Sequence, residues 1–293
     1  MTTIKAFIKS HPVLSYFALT FAISWGGMLL LILAGGSGGI PMLAWVAGPP
    51  VAGLVFTGLL YGRAGFRDLL SRMRRWRVGA RWYALALLTS PLYLTAILLA
   101  FSLSSPDFLP RILTTSDMAS LLLFGIGWGL IGGGLLEELG WTGFAVPTLL
   151  RQRYGVLSTG LLVGVPWAVL HFMAFLYLGR PSAAIPLAIF VPLDLFISVV
   201  GLTAFRVLMV WVYDRTGESM LVAMLMHASY TACALILTPL ALAGVAFLAV
   251  TFAGAAVLWV VLAAVAVAQG GHLSRQHRSR AGWLEKGVVH HAL

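Results

Sequence analysis

Two adjacent glutamates, Glu137 and Glu138, interrupt the apolar stretch GGGLLEELGWTGF at residues 132–144. Two histidines keep similar company, His171 at the end of GVPWAVLH and His227 within MLMHASYT. Carboxylates and imidazoles can carry out general base catalysis. A buried glutamate draws a proton from water and a histidine steadies the developing oxyanion. That route requires no cofactor. The same groups suit zinc, with Glu137, His171 and His227 as ligands and a fourth position open to water. No HExxH motif is present, which counts against the common helical zinc site. The bland alternative is that these groups satisfy one another inside a helical bundle.

Spacing narrows the roles. Adjacent helical residues point about 100° apart, so Glu137 and Glu138 do not share a proton as two facing carboxylates do. One of them is expected to face the reaction and the other to take a structural partner. Trp167 and His171 are four residues apart and share a helix face, as do His227 and Thr231. An imidazole and a hydroxyl then lie side by side on one helix.

The elements that must position these groups follow from composition. Of 293 residues, 60% are hydrophobic and 10% charged, against about 25% charged in a soluble domain. Mean hydropathy is +0.96. Apolar windows occur near 13–34, 41–62, 82–104, 119–136, 156–178, 184–205, 219–238 and 243–268. Each is long enough to span a bilayer. The sequence therefore predicts an all-α polytopic membrane protein of about eight transmembrane helices, with no repeat and no second domain. Residues 1–270 form one transmembrane domain, and 271–293 a basic, mobile tail with His272, His277, His290 and His291. The first window follows Lys5 and Lys9 but is too long for a signal-peptide core and lacks a clear cleavage site, so it reads as a retained anchor.

Charge placement supports the count. Lys5, Lys9, the seven arginines from Arg63 to Arg81, Arg151, Arg153, Arg206, Arg215, Arg275, Arg278, Arg280 and Lys286 fall at one side, and only Arg111 and Arg180 at the other. By the positive-inside rule both termini are cytoplasmic. The formal net charge of +10 thus marks topology rather than nucleic-acid binding. The stretch 63–81 is also expected to meet anionic headgroups as a membrane-surface helix. The lone Cys233 excludes an internal disulfide.

An ionisable residue within a span costs roughly 2.5–3.5 kcal/mol on insertion scales and is a functional candidate by default. Glu137 lies about 21 Å from Arg151, His171 about 22 Å from Val156, and His227 about 18 Å from Arg215, at 1.5 Å per residue. Three groups on three helices then fall at similar depth. A helix from 119 to 150 would be about 48 Å long, too much for a core of about 30 Å. A break is expected at Gly132-Gly133-Gly134 or Pro147, and the glycines also permit close helix packing. Asp194 is read as structural. Arg206 is expected to snorkel to the cytoplasmic interface, or else to neutralise a glutamate.

These motifs together resemble the CAAX-protease and bacteriocin-processing (CPBP, or Abi) family of intramembrane proteases. The family pattern is a di-glutamate EExxxR, an FxxxH-like motif, and HxxxN or HxxxD. Here they correspond to EELGWTGF from Glu137, WAVLH ending at His171, and HASYT from His227, with the resemblance covering roughly residues 60–235. Thr142 stands where the family has arginine, Thr231 where it has Asn or Asp, and Trp167 where it has phenylalanine. The resemblance implies peptide-bond hydrolysis in or near the membrane, on a peptide or membrane-protein substrate. By motif position, Glu137 activates water and Glu138 supports it. His171 positions the water or stabilises charge. His227 contributes to the oxyanion site with Thr231, and Trp167 supports. A bacterial plasma membrane is the expected location. The absence of arginine at 142 leaves open a non-catalytic binding or bacteriocin-immunity protein descended from the family. A small transporter is the third class, though no inverted repeat is visible.

Overall fold

The computed structural model describes residues 3–36, 40–178, 181–182, 184–271 and 273–274. The expectations for Arg180 and for the tail histidines fall outside these residues. Among the described residues eight helices are long and apolar enough to cross a membrane, as the apolar windows predict. They are α1 (Pro12–Leu33), α2 (Ile40–Met73), α3 (Ala80–Ser102), α4 (Met118–Arg151), α5 (Val156–Leu178), α6 (Leu187–Arg215), α7 (Met220–Leu237) and α8 (Gly244–Ala268). A short helix, Thr3–Ser10, precedes them. Asp117 caps α4 by accepting from the Ser120 N–H at 3.0 Å, and Ser219 caps α7 by accepting from Val222 N–H at 3.4 Å. Each satisfies a donor that the first helical turn leaves over.

Helix α4 is central. It packs against α2 on one side and α7 on the other, while α5 packs on α6, α6 on α7 and α8, and α7 on α3. The expected break in α4 does not occur. At 34 residues the helix stays continuous, but it takes π-helical winding at Gly129–Glu137 and again at Trp141–Ala145. A π turn closes its hydrogen bonds at i→i+5 and so places more residues in each turn. The excess length is absorbed by wider winding rather than by a gap. The expected glycine packing is present. A methyl added at Gly134 would meet Met224 O at 2.8 Å, and one at Gly133 would meet Thr231 Oγ1 and His227 Cδ2. Only bare backbone lets α4 approach α7 this closely.

Proline inside a helix removes the N–H that would bond the carbonyl four residues earlier, and in lipid that carbonyl needs another donor. Three neighbours supply one. Pro49 leaves Trp45 O, which accepts from Ser24 Oγ of α1 at 2.6 Å. Pro91 leaves Leu87 O, which accepts from Ser229 Oγ of α7 at 2.9 Å. Pro147 leaves Gly143 O, which accepts from Arg72 Nη2 at 2.9 Å, while Arg72 Nη1 reaches Thr142 O at 3.2 Å. These side chains fix helix register where the ladder is open.

Arg72 therefore departs from the headgroup expectation. It is 3% exposed, against the exposed Arg63, Arg67, Arg74, Arg75, Arg77 and Arg81 around it. Helix α2 runs on through Gly62, whose φ of 55° kinks it, and so turns Arg72 into the bundle. Asp68 Oδ2 joins Arg72 Nε at 3.1 Å to Arg151 Nη2 at 2.7 Å, tying the ends of α2 and α4 together.

The α2–α4 crossing gives a direct test of packing. A methyl on Gly140 would collide with Pro49 O and the Tyr16 hydroxyl, whereas one on Gly26 meets nothing within 4 Å. Gly140→Ala is expected to cost about 1–3 kcal/mol, the usual range for overpacking. Thermal unfolding in micelles should show a lowered midpoint for Gly140→Ala and little change for Gly26→Ala.

Candidate active site

The wide winding of α4 ends at Glu137, and α-helix resumes at Glu138. The two carboxylates consequently address different neighbours. Glu138 is fully buried and is held by three donors. Arg206 Nη1 of α6 reaches its Oε2 at 2.9 Å, the Thr142 hydroxyl meets the same oxygen, and His227 Nδ1 of α7 stands 2.7 Å from Oε1. Glu137 faces α5 instead. Its Oε2 accepts from Trp167 Nε1 at 2.8 Å, and its Oε1 is 3.9 Å from His171 Nε2.

Hydrogen-bond partners fix the imidazole tautomers. His171 Nδ1 lies 2.8 Å from Trp167 O. A carbonyl only accepts, so Nδ1 carries the proton, and in the neutral ring Nε2 bears the lone pair toward Glu137. His227 Nδ1 faces a carboxylate oxygen and by the same logic is protonated there. Trp167 sits between the rings, edge-on to His171 at 5.2 Å and to His227 at 5.1 Å between centroids. The Arg206 guanidinium lies 4.1 Å from the Trp167 ring centroid. That cation–π contact partly replaces solvation for a group whose Nε and Nη2 have no hydrogen-bond partner.

Glu137, Glu138, Trp167, His171 and His227 are therefore brought together from α4, α5 and α7. Thr231 is not at the carboxylates. It lies against the backbone of Gly133, where it occupies the space a side chain would need. Asp194 is buried and accepts from Ser198 Oγ at 3.5 Å within its own helix. Among the described residues no three His, Cys, Asp or Glu side chains group as a metal site. The zinc set Glu137, His171 and His227 forms no such group, and these residues as placed do not fit a zinc ion.

Arg206 corrects the snorkelling expectation. It is 0% exposed and neutralises Glu138. The cation that position 142 does not supply thus comes from α6. Two residues escaped sequence reading altogether. Trp25 of α1 and Trp45 of α2 both donate their indole N–H to Leu170 O, at 3.0 and 3.1 Å, and Trp45 stands edge-on to His171 at 5.0 Å. Tryptophan in an apolar span reads as bulk, so the only signal was its donor N–H.

The fold and this cluster define a polytopic helical membrane protein with a carboxylate–imidazole site held between α4, α5, α6 and α7. Residues 119–233 match the family described as type II CAAX prenyl endopeptidase Rce1-like. The match is consistent with the CAAX-protease and bacteriocin-processing family and spans the helices that carry Glu137, Glu138, His171 and His227. No curated protein matches the chain.

Proposed function

We propose that this protein is an intramembrane endopeptidase in which Glu137 activates water. The observation that carries the reading is the division of labour between the two carboxylates. Glu138 is saturated by Arg206, Thr142 and His227, whereas Glu137 keeps Oε1 toward the lone-pair nitrogen of His171 at 3.9 Å. Two acceptors at that separation suit a water that donates one proton to each. Its oxygen lone pairs then face the scissile carbonyl. As the oxygen attacks carbon, its proton passes to Glu137. Glu137 returns the proton to the leaving nitrogen as the C–N bond breaks. His171 orients the water. His227 shares a face with Thr231 and supports the oxyanion through Nε2, a role that needs a proton there in addition to the Nδ1–H held by Glu138. The side chain of His171 is 12% exposed, more than Glu137 or Glu138, so substrate enters from the α5 side.

The substrate is a peptide or membrane protein. From the matched family only the endopeptidase class is taken, and the site gives no feature specific to a prenyl group. By the positive-inside rule both termini are assigned to the cytoplasmic side, and a bacterial plasma membrane is the proposed location. The non-catalytic alternative draws its support from Thr142, and the Arg206–Glu138 pair, which supplies a cation from α6, supports the catalytic reading instead.

The test is cleavage of a broad peptide library in micelles by wild type and Glu137→Ala, each with and without a chelator. Cleavage by wild type alone, unaffected by chelator, is expected. Equal cleavage by Glu137→Ala overturns the assignment, and loss with chelator replaces it by a metal mechanism.

A further inference from the structure

At the basic end of the bundle, away from the carboxylates, a cavity of about 260 Å³ opens between the start of α3 and the ends of α6 and α8, lined by Arg81, Trp82, Leu85, Trp211, Arg215 and Gln269. Its chemistry has one sign. Two guanidiniums and a side-chain amide line it, and no carboxylate does. Trp211 is 6% exposed and closes one side of the cavity with its ring. Trp82 packs edge-on to Trp211 at 5.2 Å, and Arg81 lies 5.2 Å from the centroid of the Trp82 ring. The aromatic pair thus forms a wall and holds one guanidinium at its rim.

Size and position narrow the anion. The volume falls below the roughly 300–1,000 Å³ of drug-sized sites, which suits a single phosphate group better than a nucleotide. Below the cavity, along α3, Leu87, Leu88 and Leu92 are 43%, 50% and 66% exposed, and Val267 near the end of α8 is 79% exposed. An apolar surface therefore begins where the basic cavity ends. We propose that this cavity binds the phosphodiester headgroup of an anionic phospholipid, with the acyl chains laid along the exposed face of α3. Basic pockets between helices at the membrane surface recognise anionic headgroups in this way. The site is independent of the peptidase reading and stands or falls separately.

The experiment is native mass spectrometry of the full chain in micelles titrated with phosphatidylglycerol, phosphatidylcholine or inorganic phosphate. Wild type should retain one phosphatidylglycerol at least about tenfold more tightly than phosphatidylcholine. Arg81→Gln at the exposed rim should weaken that binding about tenfold, the scale of one charge-assisted hydrogen bond. Arg153→Gln, an exposed arginine outside both the cavity and the 63–81 stretch, should not. Equal retention of both lipids, or phosphatidylglycerol binding untouched by Arg81→Gln in a folded protein, overturns the site. Displacement of the lipid by inorganic phosphate at matched concentration overturns the lipid as its occupant.

Discussion

Arg206→Met is expected to be among the most damaging single changes in this protein, and Thr142→Arg in the same chain is expected to rescue it. The Arg206 and Glu138 side chains are both 0% exposed and 2.9 Å apart. Removing one partner of a buried ion pair leaves the other charge stranded, a loss of about 3–5 kcal/mol. Position 142 is one helical turn from Glu138, and its hydroxyl already meets the same Oε2 that Arg206 holds. An arginine there can therefore deliver its guanidinium to that oxygen from within α4. Thr142→Arg alone places two cations on one carboxylate and is expected to destabilise as well. The unfolding midpoints of wild type, both single variants and the double variant form a cycle whose coupling term isolates the shared partner. A double variant no more stable than the worse single variant would show that Arg206 acts through Trp167 or general packing. Glu138→Gln combined with Arg206→Met supplies the control, because it removes both charges together.

That exchange marks the boundary of what sequence could reveal. Eight spans and the inward glutamates were legible because lipid imposes length and hydropathy on every crossing segment, and intramembrane charges stand out against leucine, but α2, α4 and α6 run on to Met73, Arg151 and Arg215, past the ends of their apolar windows at 62, 136 and 205. His171 and His227 were legible for the same reason. The partner of each charge was not. Arg206 is separated from Glu138 by 68 residues, and near the end of an apolar window it resembles any snorkelling arginine. Arg72 hid within a run of topology-setting arginines, although it alone of that run turns inward. The winding of α4 was illegible in a different way. Excess length demanded an accommodation, but a break and a wider helix satisfy the same arithmetic. Pairing across α2, α4 and α6 decides between them, and those pairings are tertiary. Trp25 and Trp45 lie before the segment that resembles the protease family, so motif reading did not reach them.

The two adjacent glutamates should separate completely when each becomes glutamine. Glu137→Gln keeps an oxygen for Trp167 Nε1 and disturbs no ion pair with arginine, so its unfolding midpoint is expected to stay near that of wild type. Its amide cannot take a proton from water, and turnover is expected to fall by about 10²–10⁴, the contribution of a positioned general base. Glu138→Gln reverses the pattern. It leaves Arg206 buried without its counter-charge, and a loss of about 3–5 kcal/mol in stability is expected. It also frees His227 from the carboxylate that fixes its tautomer, so residual turnover reflects a mispositioned imidazole rather than a missing base. Turnover and unfolding midpoint measured on the same two preparations distinguish these roles. If Glu137→Gln cleaves as wild type does while Glu138→Gln is stable and inactive, the base is Glu138 and the assignment inverts. If both are stable and both cleave, neither carboxylate is the base. The stability half of the comparison needs no substrate, so it tests the ion pair of Glu138 before a substrate is found.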